Sequence, residues 1–300
     1  MLIKHIVEKG KFCVLKIMEN KYMPYCNVGS DSNKKTIDLY YEDFGQGDTV
    51  ILIHGWPLSH RMWEKQVSAL VENGFRVVAY DRRGFGDSSQ PFEGYNYDVF
   101  ADDLATLITH LGVDKAALVG FSMGGGEVAR YIGKYGTEKV SRAVFMSSVV
   151  PALGKTEDNP DGADPAVFDG IIQGLTTNRS AFLKGFVKNF YNYEDGKFGL
   201  HEENIAYDWN IAVMASPKGT VDSVTAFGSD DFRDDIKKCD VPTLVVHGDS
   251  DAIVPFEFSG QRTHELIEGS ILKVLNGAPH GITVSHAEEV NTTLIEFLRS

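Results

Sequence analysis

Ser122 stands in the run LVGFSMGGG, with Gly120 and Gly124 completing a G-x-S-x-G pattern around it. An apolar run from Ala116 to Phe121 leads in, and Glu127, Val128, Ala129, Arg130 and Tyr131 follow in a helical pattern. The serine therefore falls on a strand-to-helix turn. So sharp a reversal strains its central residue and draws neighbouring chain close, which flanking glycines permit by lacking bulk. The chemistry on offer is nucleophilic: a hydroxyl exposed at a helix N-terminus, where N–H groups and the helix dipole favour negative charge as it develops. Two glycines and a serine also meet by chance in five residues; the order of strand, turn and helix is what favours catalysis here.

A serine hydroxyl needs a base, and the base needs a group that orients it. On a sheet of this kind the chain order is serine, acid, histidine. His280, in NGAPHGI beyond the last predicted strand, fits that order. His54 precedes the serine, His247 lies inside a predicted strand, and His110, His264 and His286 fall on predicted helices. The acid comes from HGDSDAIVPF, where Asp249 and Asp251 compete. Asp249 ends the strand and suits a turn brace; Asp251, farther out, is better placed to reach a histidine on the next loop, and we select it.

An oxyanion intermediate requires two backbone donors, one on the residue after the serine, Met123, and one on a loop after an early strand. HGWPLS supplies that loop: Gly55 lets the chain turn, and Trp56 is the natural donor because Pro57 has no N–H. The Trp56 ring equally suits pocket packing. Pro57 restricts the residue before it, so the Trp56 carbonyl is expected to project toward an acyl enzyme and to favour hydrogen peroxide over water as the attacking group. Plain stiffening of the loop is the alternative.

These residues need a sheet to hold them. Thr49 to Gly55 and Phe75 to Asp81 read as buried strands around a helical stretch from Met62 to Glu72, and a helix begins near Tyr97. After the serine turn come RAVFMSS, VPTLVVHGD, SILKVLNG and a last helix from about Ser285. Such alternation predicts a parallel sheet covered by helices. From 150 to 232 the strand signal lapses and apolar residues recur at helical spacing, which predicts a helical cap inserted over the sheet's C-terminal edge; extra helices outside the sheet are the rival reading. The expected organisation is an extension over 1–22, a core over 23–149 and 233–300, and the cap over 150–232.

Composition narrows the partners. The chain has 300 residues, 43% of them hydrophobic, and a formal charge of −13, which disfavours nucleic acid and anionic membrane surfaces. Cys13, Cys26 and Cys239 are scattered and odd in number, as free thiols in a reducing compartment would be, and every apolar run near the N-terminus is broken by charge. A cytoplasmic location is expected, and a homo-oligomer is compatible with the sequence.

Taken together, HGWPLSHRMW, AYDRRGFGDSSQP, VGFSMGGGEVARYIGKYG, VHGDSDAIVPFE and APHGITVSHAEEVN resemble the α/β-hydrolase fold, and within it the cofactor-free haloperoxidases and aryl esterases, or perhydrolases. The resemblance implies a mostly parallel eight-stranded sheet with helices on both faces and no need of cofactor or metal. It implies Ser122, Asp251 and His280 as triad, Trp56 and Met123 as oxyanion donors, and an acyl pocket of Trp56, Met123, Val149, Phe186, Phe190, Phe227, Ile253 and Phe256. It also implies that the arginines and Asp87 of DRRGFGDS knit a structural loop. The substrates expected are a small ester, or a carboxylic acid with peroxide. A small-ligand sensor that keeps the fold without turnover is the second reading.

Overall fold

The computed structural model describes residues 24–300; the expected extension over 1–22 and Cys13 lie outside the described residues. Eight strands form one sheet in the order β1-β2-β4-β3-β5-β6-β7-β8. They are β1 (Tyr25–Ser30), β2 (Thr36–Gly45), β3 (Thr49–Ile53), β4 (Arg76–Tyr80), β5 (Ala116–Phe121), β6 (Val140–Met146), β7 (Thr243–Gly248) and β8 (Ile271–Leu275). β2 pairs antiparallel with both β1 and β4, and every later pairing is parallel. β3, β5 and β7 are buried along their whole length, as their unbroken apolar runs require of strands covered on both faces.

The cover comes from α1 (Glu64–Glu72), α2 (Tyr97–His110), α3 (Met123–Tyr135) and, after the middle segment, the C-terminal helix Ala287–Arg299. Gln66 on α1 donates to Asn291 on the C-terminal helix, and Tyr97 at the start of α2 donates to the Met123 carbonyl on α3, so the helices join in pairs. Between β6 and β7 the chain forms α4 (Pro165–Phe190), α5 (Glu202–Met214) and α6 (Pro217–Ser229). Asn178 leaves helical geometry (φ −151°, ψ 79°) and divides α4 into two differently directed halves. Arg179, just beyond, donates to the carbonyls of Ala212, Val213 and Ala215 and so ties α4 to the end of α5.

β1 and β2 were not predicted from periodicity. Only Cys26 of β1 and Ile37 and Leu39 of β2 are buried, so their alternation is too short to stand out. β3 lies between β4 and β5, and from β3 the chain steps first to one side and then to the other. This reversal opens a crevice at the C-terminal ends of β3 and β5, the usual place for a site on such a sheet.

Candidate active site

Ser122 occupies the turn between β5 and α3 with φ 54° and ψ −119°, a positive φ outside the regions that a residue with a side chain prefers. The turn is possible because backbones touch. A Cβ on Gly124 would lie 2.3 Å from the Ile53 carbonyl oxygen, and one on Gly55 would lie 2.6 Å from the Phe121 ring. The loop after β3 can thus press against the turn. Gly124→Ala is expected to destabilise the fold by about 3 kcal/mol through this overpacking, read as a fall in the urea midpoint. An unchanged midpoint would mean that the start of α3 and the end of β3 do not approach so closely.

His280 follows β8, and its Nε2 lies 3.0 Å from Ser122 Oγ. Its Nδ1 lies 2.6 Å from Asp251 Oδ2, on the loop after β7. Asp251 Oδ1 accepts from the N–H groups of Ile253 and Val254 at 2.9 and 2.8 Å, so both oxygens are held. His247 Nε2 also approaches Oδ2, at 3.3 Å, while bonding the Val254 carbonyl at 2.8 Å. Burial alone would raise the Asp251 carboxyl, but the positive charge of His280 and hydrogen bonds from His247 and His280 hold it well below the usual carboxylate range. Asp249 faces elsewhere: its Oδ1 accepts from Gly277 N–H at 2.6 Å, bracing the β7 loop against the turn after β8.

Met123 is the first residue of α3, so its N–H has no acceptor within the helix. The Trp56 ring is anchored by its own N–H to the Thr220 carbonyl at 3.0 Å and meets Phe186 and Phe227 edge-on. Beneath the turn, Arg82 pairs with Glu127 at 2.6 Å, both nearly inaccessible, and donates to the His54 carbonyl at 3.0 Å. Arg83 grips Asp103 through two 2.7 Å bonds. Asp87 does not share this work: its side chain pairs with exposed Arg61, while Asp81 accepts from His60 and from the Asp87 N–H at the loop's centre.

Ser122 opens onto a cavity of about 330 Å³ whose wall includes Trp56, Met123, Val149, Phe186, Phe227 and Ile253. Two expected wall residues lie outside it. Phe190 is turned beneath the His280 ring, 4.9 Å away at 86°, and Phe256 packs against His247 instead. Leu153, on the loop before α4, and Phe168 and Ile171, on α4, take part in the wall without having been predicted, since nothing local marks the side of a loop or helix that meets a pocket. Nor is the serine hydroxyl openly exposed: α4 and α6 roof the cavity, leaving Ser122 only 6% accessible.

A sheet that reverses at β3, with a serine turn after β5 and an acid and a histidine after β7 and β8, defines an α/β-hydrolase. The chain belongs to that family, whose model, described as alpha/beta hydrolase fold, matches residues 48–287. It is similar to a non-heme chloroperoxidase of Kitasatospora aureofaciens (41% identity, 92% of this chain and 99% of that one). It is similar also to a bifunctional esterase/perhydrolase of Acinetobacter calcoaceticus (40% identity, 91% of this chain and all of that one). Among solved structures, a bromoperoxidase from Bacillus anthracis superposes with TM-score 0.88 at 50% identity, covering 92% of this chain and 99% of that one.

Proposed function

We propose that the chain is a serine esterase with perhydrolase activity, acting on small carboxylic esters through an acyl enzyme. The observation that carries this reading is His280 bridging Ser122 and Asp251 at 3.0 and 2.6 Å on the floor of an apolar cavity. His280 Nε2 takes the Ser122 proton as Oγ attacks the ester carbon, and the carbonyl electron pair moves onto oxygen. The N–H groups of Met123 and Trp56 receive that oxyanion, and Asp251 stabilises the imidazolium. Collapse breaks the ester bond, and His280 returns the proton to the departing alkoxide.

Water or hydrogen peroxide then attacks the acyl carbon as His280 Nε2 takes its proton; the bond from that carbon to Ser122 Oγ breaks, His280 returns the proton to Oγ, and the acid or the peracid leaves. A peracid transfers its outer oxygen, with the hydrogen it carries, to halide, breaking the O–O bond and yielding hypohalous acid and the carboxylate, which accounts for haloperoxidase chemistry by the similar proteins. None of these steps calls on a metal or cofactor. We take residues 150–232 as the cap that shapes this pocket. No helix among the described residues is long and apolar enough to cross a membrane; with Cys26 and Cys239 as free thiols, we place the protein in the cytoplasm.

The test is a series of p-nitrophenyl and aryl esters, with and without hydrogen peroxide. Multiple turnovers of short esters, and peracid formation on adding peroxide, are expected; binding with a single turnover or none would make the protein a sensor. Pro57→Leu bears on the choice of attacking group. If the Trp56 carbonyl accepts a hydrogen bond from peroxide, worth about 1 to 1.5 kcal/mol, the ratio of perhydrolysis to hydrolysis falls about tenfold in the variant. Both rates shifting together would leave Pro57 a loop-stiffening residue.

A further inference from the structure

The cavity over Ser122 has a neighbour of about 350 Å³, lined by the apolar Ala152, Pro165, Ile172 and Val224 and also by the charged Lys155, Asp169, Asp230 and Asp231, so that an uncharged apolar arm could lie along one part of its wall while a carboxylate would meet three aspartates. Phe168 belongs to both walls. Helical spacing explains its position: Val167 and Ile171 on α4 face the cavity of Ser122, Pro165 and Ile172 face the second, and Phe168 stands on the ridge between them. On α6, Phe227 faces the first cavity while Val224 and Gly228 face the second. The loop before α4 divides in the same way, Leu153 on one side and Ala152 and Gly154 on the other.

The Phe168 ring has a fitted seat. A Cβ on Gly228 would lie 2.8 to 2.9 Å from two of its ring atoms, and the ring meets Phe227 at 6.3 Å between centroids. Glycine weakens a helix interior relative to alanine, so helix propensity gives no reason for Gly228; room for the ring does.

Resting on the reading of the site as an esterase, we propose that Phe168 is a specificity-determining partition. It confines the reacting ester to the cavity of Ser122, and behind it lies a second subsite for the far end of a neutral, medium-chain aliphatic arm. The arm belongs to the acid or to the alcohol, and two substrate series tell these apart.

The experiment measures kcat/KM for p-nitrophenyl esters from acetate to decanoate and for alkyl acetates of matching lengths. The chains are the wild type, Phe168→Ala, and Phe168→Ala combined with Ile172→Trp, whose indole fills the second cavity alone. Burial of two further methylenes in the joined cavities raises the octyl-to-short ratio about tenfold in Phe168→Ala. The added Ile172→Trp abolishes the gain. A shift in the p-nitrophenyl series assigns the arm to the acid, and one in the alkyl acetates assigns it to the alcohol. Should Phe168→Ala not fold, Phe168→Leu opens the partition partway, with about a threefold shift. An unchanged ratio in both series while acetate turnover persists overturns the partition, as does a gain that survives Ile172→Trp. Absence of acetate turnover in the wild type overturns the esterase reading instead.

Discussion

Ser122→Ala is expected to abolish ester turnover, lowering kcat by about 10⁴- to 10⁶-fold, as loss of a triad nucleophile does elsewhere. The magnitude follows from the arrangement: with Oγ gone, His280 Nε2 has no proton to take and no acyl enzyme can form. The fold should survive. Alanine keeps the Cβ, and the lost hydroxyl bonds His280 at a cavity floor rather than packing in the core. Circular dichroism and thermal melting matching the wild type, beside a flat p-nitrophenyl acetate trace, are the expected pair of results. Near-wild-type turnover would move the nucleophile elsewhere, and a collapsed melt would make the hydroxyl structural.

The serine turn, the histidine loop and the loop after β3 were legible because each is local. Its chemistry demands a residue type, and its neighbours demand small residues or turn formers within a few positions. Gly55 and Gly124 could be read as necessary before the contacts with Phe121 and Ile53 were visible. The pocket wall was less legible because it depends on helix phase. Phe186 and Phe190 are one turn apart on α4 and similar in the sequence, yet Phe186 enters the cavity and Phe190 slips beneath His280. The break at Asn178 sets the phase of that half-helix, and the sequence around it carries no proline to announce it. Phe168 lies on the other side of the break. The ion pair of Arg82 and Glu127 joins residues 45 apart in the chain, beyond the reach of any periodic pattern.

Asp251→Asn is expected to depress kcat by about 10⁴-fold, and Asp249→Asn to leave it within a few-fold of wild type. The two aspartates are two residues apart on one loop, but their oxygens serve different groups. Asp251 Oδ2 receives His280 Nδ1–H, which leaves Nε2 free to accept the serine proton. An asparagine presenting its NH₂ there reverses the demand: Nδ1 must become the acceptor, and Nε2 then carries the proton it should take. Asp249 Oδ1 instead accepts from the Gly277 N–H, so its loss loosens a turn. About 1 kcal/mol of stability and little chemistry should go with it. The pH dependence of stability gives a second test of Asp251. A carboxyl depressed in the folded state contributes stability that is fully present above its unfolded value, about 3.9, and is lost as pH falls through the folded one. Because Asp251 is held well below the usual range, it stays ionised wherever the enzyme works, and Asp251→Asn removes that contribution throughout neutral pH. Urea unfolding at pH 7 and at pH 2, where the difference between wild type and Asp251→Asn should shrink, beside initial rates on one acetate ester at pH 7, checks both claims. If Asp249→Asn proves the inactive variant, His280 takes its orientation from the other carboxylate and the triad assigned here is wrong.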